Sequence, residues 1–297
     1  MEYFGRIMKG VGGLYTVRTD EGMLLQCRAR GLFRKDGVKP LAGDWVTVSA
    51  SQDSATIVQI HPRKNMLLRP PIANIDRLVI ISGAVSPSPS LSVIDRLTAL
   101  AAYRRIEPVV VFSKCDLHDV SEYVQIYRRA GFVSFAFSSV TGEGVSRFLP
   151  LFSHAVCALT GNTGAGKTSL LNRLSPELAL DTGEISKKLG RGRHTTRCVE
   201  LFPLFDGYIA DTPGFSALDF ENGDLIAKDE LASCFPDFDT YTPDCRFTGC
   251  SHTVEKGCAV LQAVRDGKIE PSRHASYVTM YSEVKDIPQW QLDRRKT

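Results

Sequence analysis

Through residues 1–64, apolar and polar positions alternate in short runs. Segments 13–17, 44–48 and 55–60 are rich in β-branched and aromatic residues and, with 24–29, alternate in part, the pattern of strands with one buried face. Asp20-Glu21-Gly22, Asp36-Gly37 and residues 40–43 supply turn chemistry between them. Some five short strands in so small a unit predict a closed barrel of the OB type, with an SH3-like barrel as nearest competitor. Residues 61–65 then lead out of it.

From about residue 70 the rhythm becomes strand, helix, strand. Segment 77–82, with its apolar run from Leu78 to Ile81, has a buried-strand pattern, and 92–105 carries apolar residues at Ile94, Leu97, Ala101 and Ala102, a helical stripe. A strand over 109–112, a helix over 123–130 and a strand over 133–137 continue the alternation, as do a strand at 155–159 and a helix at 169–174. Such alternation predicts a mostly parallel sheet with helices on both faces and ligands beyond the carboxyl ends of its strands.

Composition narrows the class without choosing the function. The 297 residues are 43% hydrophobic and 23% charged, ordinary for a soluble multidomain chain. The longest apolar runs have strand length, and Met1-Glu2-Tyr3-Phe4 lacks the organisation of a secretory signal, so a cytoplasmic protein with no membrane partner is expected. The net charge of +3 is unevenly spread: residues 1–64 hold ten Lys or Arg against six Asp or Glu. That skew makes the barrel the first place to expect phosphate-backbone contact, although a merely solvated basic face fits the charge equally well. Eight cysteines in so long a chain do not read as a secreted disulfide scaffold.

The order of two motifs carries more. Gly161-Asn162-Thr163-Gly164-Ala165-Gly166-Lys167-Thr168 satisfies the phosphate-loop pattern between a predicted strand and a predicted helix. Its N–H groups and those opening the helix at Ser169 would converge on phosphate oxygens; Lys167 would bridge the β- and γ-phosphates and the Thr168 hydroxyl would ligate Mg²⁺. Ser113-Lys114-Cys115-Asp116 matches a guanine-reading signature: the Asp116 carboxylate can accept from both N1–H and N2–H₂ of guanine, a pairing adenine cannot offer. Ser113 stands where Asn is usual, and its shorter hydroxyl is expected to reach N7 directly or through water. Ser138 and Ser139 follow the next strand, where a backbone N–H would meet guanine O6. The base-reading motif precedes the phosphate loop, the reverse of ordinary small GTPases, which predicts a circularly permuted GTPase domain.

Downstream, Asp211-Thr212-Pro213-Gly214 ends an apolar segment and reads as a second switch, with Asp211 near the metal and the Gly214 N–H sensing the γ-phosphate. Phe215 follows where a water-orienting Gln is common, so the water-positioning group must come from elsewhere; His194 in the basic, Gly-rich run 187–197 is the nearby candidate, a solvated loop histidine being the alternative reading. Thr195 or Thr196 would complete the Mg²⁺ shell, the pattern favouring neither. Near the end, Cys245, Cys250, His252 and Cys258 give C-x₄-C-x-H-x₅-C, three thiolates and an imidazole suited to one closed, structural Zn²⁺. The other five cysteines lie mostly in apolar runs and are expected to pack.

Together these parts resemble the RsgA (YjeQ/YloQ) family of small-subunit-dependent GTPases across nearly the whole chain. Gly43-Asp44-Trp45-Val46, Asp95-Arg96, the run from Gly190 to Thr196 and the Cys/His spacing carry the resemblance most specifically. It implies an OB-fold RNA-binding domain over 1–64, a central α/β permuted P-loop GTPase domain over 65–222 and a mostly helical zinc-binding domain over 223–297. It further implies a monomeric late assembly factor that binds the small (30S) ribosomal subunit and its rRNA, cycles between GTP and GDP, and is stimulated by the subunit. The same resemblance supports the catalytic role of His194. A nucleotide-controlled RNA-binding module, in which hydrolysis merely resets affinity, is the competing class. A permuted GTPase of large-subunit assembly is disfavoured by the flanking barrel and zinc cluster.

Overall fold

The computed structural model describes residues 1–31, 33, 37–52, 54–68, 70–175, 199–211 and 225–288. Strands β1 (Glu2–Val11), β2 (Leu14–Thr19), β3 (Leu24–Ala29), β4 (Trp45–Ala50) and β5 (Ala55–Ile60) pair in the order β1-β2-β3-β5-β4, and β1 returns to β4 to close the barrel. The β3–β5 contact is parallel while the other barrel contacts are antiparallel, which fits a Greek-key OB barrel rather than the SH3-like alternative. Inward positions Ile7, Tyr15, Val17, Cys27, Val46, Val48 and Ile57 fill the interior. Strand β1 has no counterpart among the four segments marked by pattern. It carries Gly5, Gly10, Arg6 and Lys9, residues with little β-propensity, and owes its conformation to pairing on both sides.

The segment leaving the barrel folds back on it. Strands β6 (Met66–Leu68) and β7 (Pro71–Ala73) form a hairpin. At Gly43, φ is +91° and an added Cβ would lie 2.0 Å from the Ala73 carbonyl oxygen, so only glycine fits. The neighbouring Asp44 is fully buried and takes Arg63 Nε at 2.7 Å and Arg63 Nη2 at 2.8 Å, with the Leu41 N–H at 2.7 Å. The Gly43-Asp44-Trp45-Val46 run is therefore a structural staple.

Next come β8 (Arg77–Gly83), α1 (Leu91–Tyr103), β9 (Glu107–Ser113), α2 (Ser121–Arg129) and β10 (Val133–Phe137). These strands lie in the order β10-β9-β8, with β9 and β10 parallel. Helix α2 stops at Ala130 because Gly131 turns left-handed and Phe132 N–H caps the Tyr127 carbonyl at 2.9 Å. The short α3 (Leu149–Phe152) precedes β11 (Val156–Thr160), whose five residues are all buried, the mark of an interior strand. Helix α4 (Lys167–Leu174) follows, then the antiparallel hairpin of β12 (Glu200–Leu204) and β13 (Gly207–Asp211). Strand β13 runs parallel to β11, while β12 pairs with barrel strand β1 through Lys9 and Glu200.

The remainder is helical: α5 (Lys228–Leu231), α6 (Pro236–Asp239), α7 (Ala259–Arg265) and α8 (Pro271–Val284). Phe235, Phe238, Val260, Tyr277 and Met280 form its core, joined by Ala99 of α1. Arg273 of α8 is 1% exposed and bridges two carboxylates, Asp95 of α1 at 2.8 Å and Asp237 of α6 at 2.7 and 2.8 Å. Burial works against the charge on Arg273, and Asp237 and Asp95 more than reverse it, so its pKa rises. Next to Asp95, Arg96 makes a two-pronged contact with Glu283 at 2.5 and 2.7 Å. Asp95-Arg96 thus fastens the C-terminal helices to α1.

By contact density the chain forms two compact units. One comprises Met1–Arg77, Arg147–Leu159 and the described part of Ser175–Phe215; the other comprises Leu78–Ser146, Thr160–Leu174 and the described part of Ser216–Thr297. Among the described residues, no helix is long and apolar enough to cross a membrane.

Candidate functional site

The loop after β11 is shaped by contacts only glycine allows. At Gly161, φ is +143° and an added Cβ would stand 2.0 Å from the Ile81 carbonyl oxygen of β8. That close approach sets the level of the whole loop. The chain then turns through left-handed Gly164 and Gly166 and enters α4, whose Leu170 and Leu171 anchor it in the core. Lys167 arches back, its ammonium donating to the carbonyls of Gly161 and Asn162. The loop's own geometry therefore places a cation over its mouth, with Thr168 half-buried beside it.

The base-reading motif meets this loop inside the same compact unit. Ser113 ends β9, is 2% exposed, and its hydroxyl donates to the Ala165 carbonyl at 2.7 Å. The hydroxyl proton is thereby engaged by the phosphate loop, because the buried serine lies directly beneath it. Lys114 is left-handed (φ +61°), and its ammonium donates to the Val85 and Ser86 carbonyls at 2.9 and 3.0 Å. Its stem is thereby stretched along the rim. Asp116, three residues past Ser113, is exposed. Burial, then the nearby Glu143 and Asp116 charges, raise the Cys115 pKa, which favours the protonated thiol.

The pair after β10 divides. Ser138 is fully buried; its N–H donates to the Glu143 carbonyl and its hydroxyl accepts from the N–H groups of Val140 and Thr141 at 3.2 and 3.1 Å. Ser138 therefore builds the turn. Ser139 takes no part in those hydrogen bonds and has the N–H that remains for a base.

Of the second switch, β13 carries the backbone to Asp211 opposite Glu200; the Asp211 side chain and Gly214 lie outside the described residues. His194, Thr195 and Thr196 lie outside them as well.

At the far end of the chain, Cys245, Cys250, His252 and Cys258 bring their ligand atoms within 4.8 Å of one another and could hold a metal ion. His252 Nδ1 lies 3.6 Å from Cys245 Sγ and 3.5 Å from Cys258 Sγ, and those two sulfurs are 3.9 Å apart. Cys258 also caps α7 by accepting the Leu261 N–H at 3.4 Å. The loop is pinned by Glu255, which accepts N–H groups from Ser251, Thr253 and Val254 at 2.7, 3.0 and 3.1 Å. Burial alone would raise the Glu255 pKa, but hydrogen bonds from the side chain and N–H of Ser251, from its own N–H and from that of Val254 hold it down at about 2. The imidazole of His274 and the hydroxyl of Tyr277 complete the support, reaching the carbonyls of His252 and Ser251 at 2.8 Å each. These second-layer residues carry no motif signal; they are found only once α8 is packed.

Cys27, Cys157 and Cys234 are buried, and burial pushes Cys27 up to about 11 and Cys234 to about 12, consistent with packing roles.

Comparison with known proteins agrees with this arrangement. Residues 60–221 match the model described as RsgA GTPase, and residues 4–58 the RsgA N-terminal domain. A small ribosomal subunit biogenesis GTPase RsgA from Caldanaerobacter subterraneus subsp. tengcongensis is 42% identical over 287 residues, covering 95% of this chain and 96% of that protein. Its namesake from Bacillus subtilis (strain 168) is 40% identical over 293 residues, covering 95% and 97%. The crystal structure of YloQ, a circularly permuted GTPase, superposes with a TM-score of 0.80 at 35% identity, covering 97% of this chain and 96% of that one. YjeQ from Thermotoga maritima gives 0.81 at 29% identity, covering 97% and 100%.

Proposed function

The chain belongs to the RsgA GTPase family and is a GTP hydrolase, and on that premise we propose that it binds the small (30S) ribosomal subunit, acts in its late maturation, and is stimulated by it. The relatives' names support the subunit. The observation that carries the nucleotide site is the 2.7 Å hydrogen bond from Ser113 to the Ala165 carbonyl, which seats the base-reading motif on the phosphate loop.

In this reading Asp116 reads the guanine edge, the Lys114 stem lies along the ring, and the Ser139 N–H meets O6. The N–H groups from Gly164 to Ser169 hold phosphate oxygens. Lys167 exchanges its loop carbonyls for the β- and γ-phosphates, a short movement for a group already at the mouth. Thr168, with Thr195 or Thr196, would hold Mg²⁺ and Asp211 a water bound to it; the ion would supply positive charge to the phosphate oxygens. His194 orients the attacking water and Gly214 senses the γ-phosphate. With these groups on switch segments, the unassisted rate is low and ordering by the subunit raises it.

The Cys₃His set is assigned to one structural Zn²⁺. Zinc bonds of tetrahedral geometry give edges of about 3.8 Å between sulfurs and about 3.6 Å between sulfur and nitrogen, close to the 3.9, 3.6 and 3.5 Å separations found. All four positions are protein ligands, so the ion braces the fold. The basic barrel contacts rRNA, and the protein works as a cytoplasmic monomer.

The deciding experiment is GTP turnover by the full chain with small subunits, large subunits or neither, repeated with His194→Ala. Stimulation by small subunits alone is expected. His194→Ala should cut turnover by about 10²-fold or more while GTP-dependent subunit binding persists. Equal stimulation by large subunits would overturn the assignment of the partner, and unchanged turnover that of His194.

A further inference from the structure

Arg6 on β1 occupies a place where a hydrophobic residue would pack more simply. Its guanidinium lies 4.2 Å from the centroid of the Trp45 ring and 5.2 Å from that of Tyr208. Trp45 is backed by Phe4, stacked at 5.1 Å and 8°. The Arg6 Nε is buried and has no hydrogen-bond acceptor among the described residues, whereas buried polar atoms ordinarily have one. Burial lowers the Arg6 pKa, and electrostatic interaction with Tyr208 and the Asp76 carboxylate opposes that effect. A cation kept at this cost interacts with two ring faces, and that interaction depends on where the rings stand.

The rings come from two parts of one compact unit. Trp45 opens barrel strand β4; Tyr208 is on β13, three residues before Asp211. A second tie lies along the same β1 strand: Lys9 is opposite Glu200 in the β1–β12 pairing and forms an ion pair with it at 2.5 Å. Glu200 opens β12, and the β12–β13 hairpin is the segment joining the basic run 187–197 to D-x-P-G. The barrel thus grips the hairpin between the two proposed switches at both of its strands.

We propose that Arg6 is a positioning residue that couples the barrel to the nucleotide cycle, its guanidinium between Trp45 and Tyr208 linking the placement of the barrel to that of the strand leading into D-x-P-G. This rests on the reading of the barrel as the rRNA contact and of D-x-P-G as the second switch. Nucleotide exchange at the γ-phosphate shifts β13, the Tyr208 face moves, and the barrel follows through Arg6 and Trp45. In reverse, rRNA that fixes the barrel fixes the switch, because coupling between two binding events is reciprocal.

The chain has two tryptophans, so Trp290→Phe leaves Trp45 as the sole emitter beside Arg6. In that full-length background, Trp45 emission should differ between GDP and a non-hydrolysable GTP analogue without any ribosome present. Arg6→Met should abolish the difference and lower the ratio of subunit-stimulated to unstimulated turnover by about tenfold, and Arg6→Lys should restore part of both. Should Arg6→Met fail to fold, Lys9→Glu and Glu200→Lys each serve, with the double swap restoring the response. Identical Trp45 emission in the two nucleotide states would overturn the proposal, as would variants that keep both emission change and stimulation. If emission responds but small subunits do not stimulate, the coupling stands and the functional reading above falls.

Discussion

The phosphate loop and the Cys/His knuckle are both short loops leading into helices, but they are built from opposite materials. The first is a backbone site: Gly161 is wedged against the Ile81 carbonyl, Gly164 and Gly166 are left-handed, and Ser113 holds the Ala165 carbonyl from below. The second is a side-chain site, with four donors facing one point and a carboxylate, an imidazole and a phenol bracing the loop behind them. A backbone site keeps its shape through packing and is vulnerable to any atom added to it. A side-chain site of like-charged thiolates needs its cation to stay together, and is vulnerable to removal.

Four perturbations test this contrast. The largest effect is expected from removing the proposed metal. Chelation, or Cys258→Ala, should unfold the knuckle, since structural zinc sites contribute roughly 10 kcal/mol or more. Metal content and limited proteolysis around residues 245–258 would register the loss, while GTP affinity should persist. A knuckle that stays protease-resistant without metal would break the comparison. Next, Gly161→Ala places a methyl group 2.0 Å from a carbonyl oxygen at φ +143°. The strain of about 3 kcal/mol corresponds to roughly 100-fold weaker GTP binding, measurable by calorimetry with the metal content unaltered.

Asp116→Asn should lower GTP affinity by about 2 kcal/mol, the scale of one charge-assisted hydrogen-bond set, and should gain affinity for xanthosine triphosphate, whose O2 accepts where guanine donates. Selectivity unchanged in a competition assay would remove Asp116 from the base site. The smallest effect is Ser113→Ala, which removes one hydrogen bond to the loop. A stability loss of about 1 kcal/mol is expected, with a comparable weakening for GTP and GDP alike, because the tie acts on the loop they share. A loss confined to guanine over other purines would instead return Ser113 to the N7 contact.

The signals of the two sites differed in the same way. Glycine spacing with Lys167 and Thr168, and cysteine spacing with His252, are local patterns whose chemistry requires those residues at those offsets. Both sets therefore stand where pattern put them. Ser113 was legible as part of the motif, but not its partner: Ala165 lies 52 positions away, and only β9 ending beneath the loop brings them together. Ser138 and Ser139 looked equivalent in sequence, and the turn to Glu143 separated them. Strand β1 was silent because its neighbours, not its residues, make it a strand.

Local pattern alone determined four of the barrel's five strands, the strand–helix alternation, the reversed order of the two nucleotide motifs and the Cys₃His grouping, because hydrophobic period and ligand spacing act over a few residues. Tertiary structure decided what Gly43, Asp44, Asp95 and Arg6 do. Their partners, Ala73, Arg63, Arg273 and Tyr208, lie between 19 and 202 positions along the chain. A close backbone approach, a buried ion pair and a cation between two rings are properties of converging surfaces, and no stretch of sequence contains both surfaces at once.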